Sequence, residues 1–107
     1  MNNLKVSEAV KTKLHEKHQV TLREVEHCFQ NREGCLLYDE RVWAKTHPPT
    51  LWFIAPTHQN RLLKIVYIQI GNEVMLKTAY EPNEQELAIY ERFGKAARGD
   101  LATQETA

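Results

Sequence analysis

The chain has 107 residues, 42% of them hydrophobic and 26% charged, with 14 Lys+Arg against 14 Asp+Glu. This is enough for one domain with its own core, and the zero net charge argues against a surface that grips nucleic acid over its whole extent. No apolar run reaches the roughly 20 residues of a membrane span and no apolar leader core opens the chain, so the expectation is a cytoplasmic protein with no membrane role.

From Val6 to His18, the residues Val6, Ala9, Val10 and Leu14 recur at three- and four-residue steps. This spacing predicts an amphipathic helix, with Lys11, His15 and His18 as a basic strip beside its apolar stripe. Thr21 and Glu24 have capping-box spacing and restart a second helix, with Val20 and Val25 as the hydrophobic staple. Cys28 and Cys35 match neither a zinc knuckle nor a redox pair and read as buried, reduced thiols.

Strands are predicted at Cys35 to Asp39, Leu51 to Ala55, Leu62 to Ile70 and Glu73 to Tyr80, with an irregular segment from Glu40 to Thr50 that contains Pro48-Pro49. Gly71-Asn72 is a two-residue hairpin signal. Strict alternation then sets Val66 opposite Lys77, Lys64 opposite Ala79 and Leu63 opposite Tyr80. It puts Lys64 and Lys77 on one face and Thr78 and Tyr80 on the other. Asn83 caps a last helix with Glu84 and Glu86 at its positive end, and Leu87, Tyr90, Phe93 and Ala97 as its inner stripe. The predicted fold class is α+β: two N-terminal helices, a four-stranded antiparallel sheet and a C-terminal helix, with the helices on one sheet face. Residues 1–98 form the single domain and 99–107 a frayed tail.

The His15–His18 segment, HEKH, is one residue short of a zinc-protease helix, and no further ligands stand near it in sequence, so no metal is assigned. No glycine-rich phosphate loop, nucleophile elbow or carboxylate cluster is present, and no cofactor is expected. The candidate cations are Arg41, Arg61, Lys64, Lys77 and His18. Taken singly, each is an ordinary solvated charge. Together, Arg61, Lys64 and Lys77 gather at one end of the predicted hairpin, where they could neutralise phosphates. With His18 or Tyr80 to move a proton, such a site could cleave RNA without metal, using the substrate's own 2′-hydroxyl as nucleophile. Tyr90 reads as core, and Trp43, Trp52 and Phe53 as core or a partner-binding surface.

The segments "KHQVTLREVEHCF", "RLLKIVYI" and "LKTAYEPNEQELAIY" resemble successive blocks of BrnT-type toxins, which belong to the RelE-like superfamily. The resemblance spans roughly Lys17 to Tyr90. It implies the toxin component of a type II toxin-antitoxin system: a metal-independent ribonuclease with RNA and a cognate antitoxin as partners, and a homodimer as a further option. By position, Lys17 and His18 match the family's Lys-His pair, Arg61 its arginine before the central strand, and Glu86 and Tyr90 its closing helix pair. Tyr80 stands where the family closes a strand with Ser-Ala-Arg, and the family's opening strand is replaced by helix. The implied catalytic residues are His18, Arg61 and Tyr80, and the implied RNA contacts are Lys17, Arg41, Lys64 and Lys77. A non-catalytic protein-binding module of the same fold is the alternative. The chain is also similar to small bacterial proteins labelled ADP-ribosyl-(dinitrogen reductase) hydrolase, although enzymes of that name are much longer and use paired magnesium ions held by carboxylates.

Overall fold

The computed structural model describes residues 1–39 and 46–95, so Arg41, Trp43, Ala97 and the 99–107 tail lie outside the described residues. Ser7 caps the first helix, α1 (Glu8–Lys13), by accepting from the Val10 amide. The helix then widens into a π-helical turn, Leu14–His18. Gln19 ends it in the left-handed region at φ 51°, and the Val20 amide reaches back to the Leu14 carbonyl. The capping box opens α2 (Leu22–Gln30) as expected, with Thr21 and Glu24 satisfying each other's backbone donors.

The strands are β1 (Leu4–Lys5), β2 (Leu37–Tyr38), β3 (Thr50–Pro56), β4 (Leu62–Ile70) and β5 (Glu73–Tyr80). They form one sheet in the order β1-β5-β4-β3-β2. The sheet is therefore five-stranded and mixed, not four-stranded and antiparallel: Leu4 and Lys5 run parallel to Val74 and Met75 along the outer edge of β5. Two residues give no readable strand period. What pins them is backbone bonding, with Val74 donating to the Asn3 carbonyl and the Asn3 amide group donating to Asn72. The first predicted strand, from Cys35, shortens to β2.

The Gly71-Asn72 turn holds Ile70 opposite Glu73, as expected. The alternation then breaks. Tyr67 pairs with Leu76 but Val66 pairs with Thr78, so Lys77 is the extra residue of a β-bulge, and Lys64 faces Tyr80 rather than Ala79. The reason is burial. Val74, Leu76 and Ala79 are all buried, and steps of two then three cannot keep one face in a strictly alternating strand. The bulge absorbs the odd residue. It also turns Thr78 and Tyr80 onto the face that carries Lys64 and Val66, overturning the predicted split between lysines and hydroxyls.

The helices cover both faces, which corrects the one-face arrangement. On one face α2 brings Phe29 edge-on to Phe53 and Tyr67, at 5.0 and 5.1 Å, and the Cys28 thiol donates to the Ala55 carbonyl at 3.3 Å. Burial raises that thiol's pKa to about 12, with Glu24 adding to the rise, so it is an inert core group. Cys35 is half-buried and also free. On the other face lies α3 (Glu84–Ile89), opened by a second capping box between Asn83 and Glu86. It continues as a π-helical segment, Tyr90–Lys95. That change of pitch breaks the predicted inner stripe: Tyr90 is buried, while Phe93 is 52% exposed. The Tyr90 ring lies beside Trp52 and its hydroxyl donates to the Cys35 carbonyl, in a space so close that a Cβ on Gly34 would stand 2.4 Å from the Tyr90 oxygen. Trp52 and Phe53 are core, as expected.

Candidate functional site

The bulge creates the site. Thr50 of β3, Val66 of β4 and Thr78 and Tyr80 of β5 form the floor of a cleft of about 550 Å³ on the face away from α2. The end of α1 and its π-helical turn wall one side with Lys13, Lys17 and His18; Lys77 adds a fourth basic group, and Asp39 and Thr46 line the same space. Lys13, Lys17 and Lys77 are exposed, and none makes an ion pair among the described residues. Among the described residues, three lysines against one aspartate give the cleft lining a positive balance on a chain of zero net charge. The Thr78 hydroxyl oxygen is buried with no hydrogen-bond partner among the described residues. A buried hydroxyl left unpaired is costly.

His18 lies against Tyr80, with ring centres 5.4 Å apart. Partial burial, followed by the charges of Lys17 and Lys13, lowers its pKa below 6.5. This shift favours the neutral imidazole, the form that can act as a base. The Tyr80 hydroxyl donates to Glu86 at 2.6 Å, and Lys64 donates to the same carboxylate oxygen at 2.7 Å. Burial alone would raise the Glu86 pKa; the bonds from Lys64, Tyr80 and the Asn83 amide outweigh it and hold the group ionised below 4.5. Lys64 is itself buried, its ammonium 4.5 Å from the Trp52 ring centre.

Of the sequence candidates, the cleft thus gathers Lys17, His18, Lys77 and Tyr80. Lys64 stands just behind them, committed to Glu86. Arg61 is not in the cleft lining. Its guanidinium bonds to both Glu24 oxygens, to Glu81 at 2.9 Å, and to the carbonyls of Gln19 and His18. It is a clamp: it ties the turn that carries His18 to the start of α2 and the end of β5. The two carboxylates overcome the effect of burial and raise its pKa, so it stays charged. His15 is exposed. Among the described residues, no group of three or more His, Cys, Asp and Glu side chains could hold a metal ion, and no helix is long and apolar enough to cross a membrane.

No family model, curated protein or solved structure matches the chain. Lys13 and the second role of Glu86 are not among the residues expected from sequence. Lys13 carried a signal, since it stands one helical turn before Lys17. Glu86 had already been assigned to capping, and its further partners lie on strands far away in sequence.

Proposed function

We propose that the chain is a metal-independent ribonuclease, the toxin component of a toxin-antitoxin pair, acting at the cleft between the π-helical turn and the bulge of β5. The observation that carries this reading is the cleft itself: among the described residues, Lys13, Lys17 and Lys77 line it without an ion pair, and His18 stands beside them against Tyr80. That set suits a phosphodiester. Lys17 and Lys77 bind its non-bridging oxygens. Neutral His18 takes the proton of the 2′-hydroxyl as its oxygen attacks the adjacent phosphorus. The bond from phosphorus to the 5′-oxygen breaks, and a rim lysine ammonium gives that oxygen its proton. The products are a 2′,3′-cyclic phosphate and a 5′-hydroxyl. Tyr80 has its own proton directed at Glu86, so it serves as an acceptor that orients the ribose. Arg61 and Lys64 are positioning residues in this scheme, in place of the direct phosphate contacts expected from sequence.

Cleavage of end-labelled single-stranded RNA in EDTA tests the reading. His18→Ala is expected to lower the rate by about 10²-fold or more. The wild-type rate should rise with pH through a limb below the ordinary histidine range, because the base must be neutral. Equal rates for the two proteins, or a linear 3′-phosphate formed without the cyclic intermediate, would refute it. The non-catalytic binding module remains the second reading, favoured by the exposed Tyr38, Ile89 and Phe93; it predicts no cleavage by either protein.

A further inference from the structure

The turn between β3 and β4, Thr57–Arg61, is held together by its own bonds. The Thr57 amide donates to the Arg61 carbonyl, and the Thr57 hydroxyl accepts from the Gln59 and Arg61 amides. Two of its residues tie it to α2. Arg61 bonds to Glu24 in the first turn of that helix. In the last turn His27 stacks on His58, with ring centres 3.6 Å apart and planes within 5° of parallel. The bonds around the stack fix its protonation. The His58 amide can only donate, and it lies 3.3 Å from His27 Nδ1, so that nitrogen is an acceptor. The Asn31 side-chain nitrogen donates to the Pro56 carbonyl at 3.0 Å, which can only accept and so fixes how the amide is turned. The same nitrogen is 3.1 Å from His58 Nδ1, which must therefore accept as well. Both rings are held as the neutral tautomer with hydrogen on Nε2. A proton on either Nδ1 sets one N–H against another, and a proton on each ring sets two cations face to face.

The charged groups around the stack are divided. Arg23, Glu24 and Glu26 line one hollow with both rings, and Arg32, Glu33 and Glu91 line another with His58. Loss of water at the ring, then the charges of His58 and Arg23, lower the His27 pKa below 6.5. Glu24, Glu26 and the C-terminal end of α2 favour charge there and are outweighed. We propose that the His27–His58 stack is an acid-released latch, which holds the β3–β4 turn against the C-terminal end of α2 while both rings are neutral and frees it once they are protonated. The Arg61–Glu24 pair is the hinge. Against the effect of burial, bonds from Thr21 and Arg61 hold the Glu24 carboxyl below its ordinary range, so this pair outlasts the latch as pH falls. Between the two ranges only the His58 end of the turn opens. His58 and Gln30 line both hollows, of about 660 and 740 Å³, so the two linings change together. The sign follows from His27: its folded pKa lies below its unfolded value, so its share of the stability is complete above 6.5 and is lost as pH falls through the lower folded value.

The test is an NMR pH titration of the whole chain, with imidazole ¹⁵N shifts reading the tautomer and ring-to-ring NOEs reading the stack. At about pH 8 both rings are expected as the Nε2–H tautomer, with NOEs between them. At about pH 5 those NOEs should be lost, while the NOEs between Phe29 and Phe53 in the core persist. His58→Asn removes the facing ring and keeps the backbone amide that His27 accepts from, so the His27 titration should move up toward 6.5. His58 is exposed, so this change leaves the core intact. An Nδ1–H tautomer on either ring at about pH 8, or ring NOEs that survive protonation of both, would overturn the latch. A His27 titration indifferent to His58→Asn would overturn it too. So would loss of the Phe29–Phe53 NOEs together with the stack, since that is unfolding of the core and not release of a turn.

Discussion

Glu86→Ala is expected to cost about 3–4 kcal/mol in folding stability, far more than a surface carboxylate would. The Lys64 side chain is 6% exposed and that of Glu86 15%, so the pair is shielded from solvent. Removing the carboxylate leaves a buried ammonium with no counter-ion, leaves the Tyr80 hydroxyl without its acceptor, and removes one half of the α3 capping box. The penalty lies mainly in the stranded charge. Lys64→Met introduced into Glu86→Ala is therefore expected to recover stability, because it removes that charge and leaves an apolar chain against Trp52. Urea unfolding of the two single variants and the double variant measures this coupling. A double variant less stable than Glu86→Ala would show that the pair is not what the fold depends on. The pH dependence has the same origin. Glu86 has a folded pKa below its ordinary value, so its contribution is complete above the ordinary carboxylate range and is lost as pH falls through the lower folded value. Glu24 shifts in the same direction, against its own burial, through bonds from the Thr21 amide and Arg61. Acid should therefore weaken both ends of the site together, and Glu86→Ala should flatten that part of the profile.

Arg61→Ala is expected to cost about 2 kcal/mol. Its side chain is 27% exposed and Glu81 is 65% exposed, so the Glu81 bond is screened by water and contributes little. The bonds that matter are those to Glu24 and to the carbonyls of His18 and Gln19. They fix the turn that sets His18 against Tyr80. On the proposed ribonuclease reading, cleavage should therefore fall in Arg61→Ala although the guanidinium does not line the cleft, and the loss should exceed what unfolding alone removes. Arg61→Lys should recover little, because one ammonium cannot span two carbonyls and a carboxylate as the planar fork does. Wild-type cleavage by a folded Arg61→Ala protein would show that the clamp is dispensable to the site.

The elements themselves were legible because their signals are local. Thr21-x-x-Glu24 gives a capping box in sequence and in structure, and Gly71-Asn72 gives the turn it predicts, with Gly71 at φ 57°. What sequence could not fix is how the far end of the hairpin is oriented. The spacing of Val74, Leu76 and Ala79 held the clue, since two apolar steps of unequal length within one strand require a bulge if all three are to be buried. Plain alternation would place Thr78 and Tyr80 on the opposite face, away from Lys64. The charge of Arg61 is plain in sequence, but its five acceptors come from three separate segments, and no local pattern records such a convergence. The parallel pairing of Leu4 and Lys5 was invisible for a similar reason: two residues cannot show a period.

The most direct test of the cleft is a ¹H–¹⁵N NMR titration of the protein with an uncleavable 2′-O-methyl RNA strand. Binding at the cleft predicts saturable shifts at the amides of Lys17, His18, Lys77 and Thr78, with the α2 face unmoved, including His27 of α2, whose ring stacks on His58 with centres 3.6 Å apart. Shifts confined to that opposite face, or none at millimolar RNA, would contradict it.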